Sequence, residues 1–342
     1  MGVYLMQVHI TNLHGQDSKS TAQRAQNIVT EVATKQLGFS EMGLYFYDVS
    51  TDSPDKLSGR LDGIISSLSM GDVVILQTPT WNGVTYENHL LDKFRGYRGV
   101  KVVAFIHDMV PWMFEGSAGM LTDYIKLYNR CDLVISPTEK MTARLRKHGL
   151  TVKKVINQEF WDHPVAVDTA TFPPFNRVVN FIGRGKKFDF VKNWSAADVK
   201  LILTDTDTGW GAGKNIEFIG YQNDADLVSR MHRKGGFGLL WSENPLWSEY
   251  MKLNVSYKLS TYLAAGIPVI VEPDTPQANT ILTKKLGLVV NSLDEAVKQV
   301  KQMTPADYQE MVVAVEHFAQ LIRGGYFTKR LLTQAVFDLF YD

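Results

Sequence analysis

A single cysteine, Cys131, stands in 342 residues, which excludes a disulfide framework and a cysteine-rich metal cluster and fits a reducing compartment. It opens an apolar run and reads as a core residue. Net charge is missing too: Lys plus Arg and Asp plus Glu number 36 each, so nothing draws the whole chain to nucleic acid or an anionic membrane. Any anion site must be local. No apolar run approaches the ~20 residues of a membrane span, since the longest candidate, 262–271, is broken by Gly266 and Pro268. The first eight residues lack the basic and long apolar regions of a secretory signal, so a cytoplasmic protein is expected. Repeats and low-complexity tracts are lacking, which argues against solenoids and disordered tails. His14, His107, His148 and His163 have no metal-ligand spacing with cysteine or with one another, no Ser-His-Asp set assembles, and no metal or other cofactor is expected. A GxxxxGK[ST] loop is absent, and Gly235-Gly236-Phe237-Gly238 lacks the dinucleotide fingerprint.

What is present is two successive series of strand-like runs alternating with helical patterns, the signature of α/β domains with parallel sheets. A length of 342 residues suits two cores. The first series runs through 3–10, 44–49, 72–77 and 101–106 and closes at 132–135; the second takes 177–182, 200–203, 216–219, 238–241, 269–271 and 288–290. Between Gln158 and Asn176 a stretch with Pro173-Pro174 and no clear period reads as the interdomain linker. From Pro305 onward the pattern is helical, and Leu331, Leu332, Val336, Phe337 and Phe340 give the last helix an apolar face able to pack back on the first domain. Ligands of open α/β sheets bind outside the carboxyl ends of the strands, which directs attention to the post-strand loops and to a cleft between the domains.

The strongest local signal is 254–271. Val255, Leu259, Tyr262 and Leu263 keep the spacing of one helix face, Gly266 followed by Pro268 stops the helix, and Val269-Ile270-Val271 is a buried type of strand. With Asn254 as the expected N-cap, Lys258 falls in the first turns, where the helix dipole disfavours a cation unless an anion lies nearby. Lys258 is therefore a candidate phosphate ligand; a lysine snorkelling into water has the same spacing. Gly183-Arg184-Gly185-Lys186-Lys187 directly follows a strand and offers exposed backbone N–H groups with three cations for a diphosphate, or a solvated turn. Residues 11–16 and 20–27, including Gln16, form a polar strand-to-helix turn suited to sugar hydroxyls or to plain helix capping. His107-Asp108 ends an apolar strand, so Asp108 is a candidate general base with His107 as hydrogen-bond donor, unless the pair is an Asx turn beside a packed histidine. Trp81, Trp112, Trp161 and Trp247 are loop aromatics able to stack on a sugar or uracil ring or to fill the core.

Taken together, His14-Gly15-Gln16, Ser20-Thr21-Ala22-Gln23, Arg60-Leu61-Asp62-Gly63-Ile64, Gln77-Thr78-Pro79-Thr80-Trp81-Asn82, Phe105-Ile106-His107-Asp108 through Pro111, Trp161-Asp162-His163-Pro164, Ser256-Tyr257-Lys258-Leu259 through Val271 and Phe327-Thr328-Lys329-Arg330-Leu331-Leu332-Thr333 resemble one family over nearly the whole chain. It is the glucosyltransferase family, the third glycosyltransferases or GtfC, that acts in glycosylation of serine-rich-repeat adhesins in streptococci and lactobacilli. The resemblance implies a GT-B fold of two Rossmann-like domains facing across a cleft. Residues 1–160 with a C-terminal helix of about 326–342 would bind the acceptor, and 161–325 would bind the nucleotide sugar. It implies a metal-independent, cytoplasmic homotetramer that moves glucose, or N-acetylglucosamine, from a UDP-sugar to N-acetylglucosamine already O-linked to the adhesin. Two other readings are a noncatalytic GT-B subunit and a UDP-sugar epimerase. By motif, Lys258 and Lys187 would grip the diphosphate and share the catalytic role, with Gly183, Arg184, Ser256 and Tyr257 around it and Tyr221 near the uridine. Gln16, Thr80, Trp81, His107 and Asp108 would face the acceptor or transferred sugar. The family's arginine position holds Lys187 here, a point charge without the bidentate fork. The turn 209–213 and the loop 242–252 depart from the pattern the resemblance leads one to expect, which leaves the donor, glucose or N-acetylglucosamine, open.

Overall fold

A computed structural model describes residues 6–166, 168, 170–206, 209 and 211–341. The expected strand start at residues 3–5 and Trp210 of the 209–213 turn lie outside the described residues. Compactness of contacts divides the chain into two units, one of Met1–Glu159 with Phe327–Asp342, the other of Phe160–Tyr326.

In the first unit, β1 (Val8–His14), β2 (Ser40–Tyr45), β3 (Val73–Thr78), β4 (Lys101–Ile106), β5 (Leu133–Ser136) and β6 (Val155–Asn157) form a parallel sheet in the order β2-β1-β3-β4-β5-β6. Every residue of β3 and β5 is buried, as β-branched runs covered on both faces require. The chain leaves β1 for β2 on one side and returns to β3 on the other. The topological switch point therefore lies between β1 and β3, and the loops after those two strands border it. The second strand sits four residues earlier than its aromatic run suggests. Ser20 caps the helix Thr21–Leu37 and Gly38 closes it, so the strand opens at Ser40, while Asp48 caps a short 3₁₀ turn at Val49–Thr51 and ends the extended stretch. β6 has no counterpart in the sequence reading, being three half-buried residues too short to show a period.

The second unit repeats the design with β7 (Val178–Phe181), β8 (Lys200–Leu203), β9 (Ile216–Phe218), β10 (Phe237–Leu239), β11 (Val269–Val271) and β12 (Gly287–Val289) in the order β12-β11-β10-β7-β8-β9. All its pairs are parallel, and its switch point lies between β7 and β10. Phe181, Phe190, Trp194, Phe237 and Tyr308 fill its core.

The boundary between the units falls within the stretch read as the linker, and that stretch is packed at its start: Phe160, Trp161, Asp162 and His163 are all buried, with Trp161 Nε1 donating to Val255 O and the His163 N–H to Ile322 O. One reading of the chain is corrected here. The last helix, Tyr326–Phe340, buries Leu331, Leu332, Ala335 and Leu339 and leaves Phe337 and Phe340 exposed. Arg330 pairs with Glu159, and Lys154 Nζ donates to Asp338 O, so this helix packs within the first unit.

Candidate active site

The helix Tyr257–Ala264 carries the clearest cluster. Asn254 is not its N-cap, because its side chain turns back to the Val255 N–H and the Tyr250 hydroxyl. Ser256 occupies the cap without a side-chain hydrogen bond, so Lys258 is the second helical residue, in a first turn that holds no acidic side chain. At the other end Gly266, at φ +77°, terminates the helix, and Arg323 donates from Nε to Ala264 O. A cation at the C-terminus is favourable and one at the N-terminus is not.

Tyr262 pins this helix to the switch point. Its hydroxyl accepts from the Ile182 N–H just past β7 and donates to Leu239 O at the end of β10. Gly238 is glycine because a Cβ there would stand 2.1 Å from the Tyr262 ring. Tyr262 thereby swings Lys258 over the end of β7, with Nζ 5.2 Å from the Phe181 ring centroid and 5.6 Å from that of Phe188. No carboxylate pairs with this ammonium among the described residues, and burial pushes it down to about 8. A cation held in an apolar clamp at a helix N-terminus is electrostatically costly without an anion beside it, which makes this a candidate anion site. The clamp and the cation-rich loop 183–187 are one place, since Phe181 and Phe188 flank that loop.

The loop departs from its sequence reading in one respect. Its backbone is not open to an anion at two of the expected positions: the Gly183 N–H donates to Thr204 Oγ1 and the Gly185 N–H to Asp205 Oδ2, while Lys187 N–H closes a 3₁₀ turn on Arg184 O. Gly183 thus shapes the turn, and the exposed side chains of Arg184, Lys186 and Lys187 remain as candidate ligands. Tyr257 is half-buried and its ring lies 5.1 Å from that of His163. Tyr221 is exposed in the turn after β9, at the sheet edge away from the switch point. Thr261 is buried, with Oγ1 donating to Tyr257 O and 3.3 Å from His163 Nδ1.

In the first unit Gln16 follows β1 and Thr80 and Trp81 follow β3, so both loops border the switch point. Gln16 Oε1 accepts from Ser20 Oγ, which orients the amide. Thr80 does not face solvent: it is fully buried, and its N–H donates to Glu87 Oε1. Its hydroxyl also bonds the Glu87 carboxyl and accepts from the Asn82 N–H, so Thr80 shapes the loop rather than touching a sugar. Trp81 adopts φ +64°, a left-handed conformation unusual for an aromatic residue, and its indole N–H is buried without an acceptor among the described residues. Asp108 is half-buried immediately past β4. His107 is buried with its ring 4.6 Å from that of Phe105, and burial pushes it down to about 3, so it is a neutral packed imidazole at physiological pH. Trp112 lies under the Arg144 guanidinium and Trp161 is core; Trp247 packs on Tyr250.

Sequence reasoning missed Glu87, a fully buried carboxyl that burial raises to about 7. The signal was present: Glu87 interrupts the apolar face of the helix Val84–Arg95 formed by Leu90, Leu91 and Phe94. It also missed Tyr262 as the pin and Phe181 and Phe188 as the clamp. Among the described residues no three His, Cys, Asp or Glu side chains are grouped as a metal site, and no helix is long and apolar enough to cross a membrane.

Comparison with known proteins identifies the family and the fold. Residues 7–160 match the family model described as "Glucosyltransferase 3-like, N-terminal domain" and residues 179–335 its C-terminal counterpart. The chain is 42% identical over 338 residues to Glucosyltransferase 3 of Streptococcus parasanguinis, covering 98% of this chain and 100% of that one. Among solved structures, a sucrose-phosphate synthase from Thermosynechococcus elongatus superposes with a TM-score of 0.66 at 13% identity, covering 98% of this chain and 99% of that chain. Anabaena HepE in complex with UDP and glucose superposes with a TM-score of 0.65 at 12% identity, covering 97% and 99%. At such identity these two establish the fold alone, GT-B. With both halves matched by the family's domain models and a relative 42% identical end to end, the chain belongs to the glucosyltransferase 3-like family and is a GT-B glycosyltransferase.

Proposed function

We propose that the chain moves a hexose, glucose in preference to N-acetylglucosamine, from a UDP-sugar to N-acetylglucosamine O-linked on a serine-rich-repeat adhesin, the second step of that protein's glycosylation. The observation that carries the donor half is the placement of the Lys258 ammonium over Phe181 and Phe188, beside the loop holding Arg184 and Lys187. In this proposal those three cations meet the diphosphate, with Lys258 and Lys187 offsetting the charge that develops as UDP departs, without a metal. Ser256 and Tyr257 border the site at the helix start, and the exposed ring of Tyr221 stacks on uracil. In the first unit, Gln16 and the Trp81 indole meet sugar hydroxyls, Asp108 takes the proton of the attacking acceptor hydroxyl, and the packed, neutral His107 positions Asp108 through the backbone. The enzyme is proposed to work as a cytoplasmic homotetramer, by analogy with the family resemblance.

The test is incubation of the purified protein with a serine-rich peptide bearing N-acetylglucosamine, with UDP-glucose and UDP-N-acetylglucosamine in separate reactions, read by peptide mass. A gain of one hexose from UDP-glucose is expected. An unchanged peptide with both donors refutes transfer; conversion of the donor alone identifies an epimerase, and peptide binding without donor binding identifies an accessory subunit.

A further inference from the structure

The first unit holds a groove, on the open flank of its sheet, that the transfer reaction leaves unassigned. β2 is the outermost strand and, among the described residues, pairs only with β1. The Phe46 N–H donates to His14 O, so Met42, Leu44 and Phe46 face β1, and Glu41, Gly43 and Tyr45 direct their N–H and C=O groups outward. At the upper end the Asn82 carboxamide bonds this edge as one residue of a neighbouring strand would. Its Nδ2 donates to Tyr45 O at 3.0 Å, and its Oδ1 accepts from the Tyr47 N–H at 3.1 Å. Below it, the outward groups of Glu41 and Gly43 meet no partner among the described residues. Bare, regular edges are templates for an added strand, and β2 carries no proline, lysine or bulge to block one.

This edge opens into a groove of about 750 Å³ whose far wall is the helix Pro54–Ile64 and whose lining includes Tyr45, Tyr47, Arg60, Gly63, Ser66 and Tyr86. Gly59 and Gly63 stand one turn apart inside that helix. A Cβ at either would meet nothing within 4 Å, so no internal contact requires glycine there, although glycine weakens a helix. The helix wall of the groove is therefore flat at Gly63. The charges of the groove are already answered. Arg60 Nε bonds Asp52 at 2.7 Å with its guanidinium over the Tyr47 ring, and Glu41 accepts from Asn12 at 2.9 Å and lies 2.7 Å from His14 Nε2. An occupant matched to this surface is uncharged, extended and small in its side chains.

We propose that this groove binds the polypeptide carrying the acceptor sugar, as a neutral serine- and threonine-rich segment added to the edge of β2; the inference rests on the transfer reaction proposed above. A segment paired there runs along β2 to Asn82, next in sequence to Trp81, and so is led to the loop assigned to the acceptor sugar. Five residues of strand, at roughly 3.3 Å each, span the open edge.

Two acceptors carrying the same glycosylated serine test this: the serine alone with blocked ends, and a neutral serine- and threonine-rich peptide of about ten residues, long enough to reach along the edge. The peptide is expected to show a KM about tenfold lower, the effect of one or two added backbone hydrogen bonds. Gly43→Pro removes an outward N–H without touching the pairing to β1, and Gly63→Leu fills the groove from the helix side. Each is expected to erase the peptide's advantage while kcat and the KM for the short acceptor and for the UDP-sugar stay unchanged. Equal KM values for the two acceptors in the unmodified protein overturn the proposal, as does an unaffected peptide KM in both variants. A shift in sedimentation coefficient in either variant also overturns it, by assigning the edge to a second copy of the chain. If the short acceptor receives no sugar at all, the transfer reading fails; binding of the fluorescently labelled, unglycosylated peptide, expected to be lost in Gly63→Leu, then tests the groove by itself.

Discussion

Lys258→Met should make the protein more stable and a poorer donor binder at once. Displacement of this ammonium from 10.5 to about 8 by burial corresponds to roughly 3 kcal/mol of charge-burial cost in the unliganded protein. Methionine of similar length leaves the apolar contacts with Phe181 and Phe188 and removes the charge, at the loss of a cation–π attraction of about 1 kcal/mol. A net gain of about 1–3 kcal/mol follows, or roughly 2–10 °C in the melting of a unit of this size. Because the folded value lies below the unfolded one, the penalty is fully present below pH 8 and is lifted as pH rises toward 10.5. The gap between variant and parent should therefore be widest at pH 7 and close in alkali. UDP affinity should move the other way, falling about ten- to a hundredfold with the loss of a charge-assisted contact. Thermal melts from pH 6 to about 10.5, with calorimetric titration by UDP, read both quantities. In the parent, UDP binding near pH 8 should also take up protons as the phosphates draw Lys258 back to its charged form. A Met variant that melts below the parent at pH 7 refutes the half-buried, unpaired ammonium; equal UDP affinity refutes its role as a phosphate ligand.

Two further outcomes are expected. Asp108→Asn should lower kcat for transfer by about 10²–10⁴ while UDP affinity and melting temperature hold, and single-turnover kinetics with saturating donor will show it; an undiminished rate removes Asp108 as the base. Glu87→Gln should flatten the pH dependence of stability. The parent's buried carboxyl is raised from 4.5 to about 7, so its contribution is complete below pH 4.5 and is lost as pH rises through 7, by roughly 3 kcal/mol. Melts of parent and variant should then diverge between pH 5 and 8, and parallel curves contradict a buried Glu87 on Thr80.

The fold class was legible because its signals are local and repeated. β3, β4 and β5 are apolar runs whose burial needs two covered faces, and the helix Tyr257–Ala264 declares itself by its stripe and by Gly266. Elements set by their neighbours were not. β6 exists because β5 offers it an edge, and Asn254 loses the cap to Ser256 because Tyr250 and Val255 claim its side chain. The site follows the same division. Lys258 stood out by sitting at the wrong end of a helix dipole, a property of its own helix. Its clamp of Phe181 and Phe188 comes from a strand and a loop some seventy residues away, and Tyr262 creates that neighbourhood. His107 was chosen for its place after a strand and Thr80 by the family motif, yet Glu87 and Phe105 draw both inward, which depends on a helix and a strand packing together.

The most direct test of the whole account is the peptide mass after incubation with UDP-glucose and a serine-rich acceptor bearing N-acetylglucosamine. The account predicts one added hexose per acceptor sugar, dependent on Lys258; an acceptor of unchanged mass with both UDP-glucose and UDP-N-acetylglucosamine would contradict it.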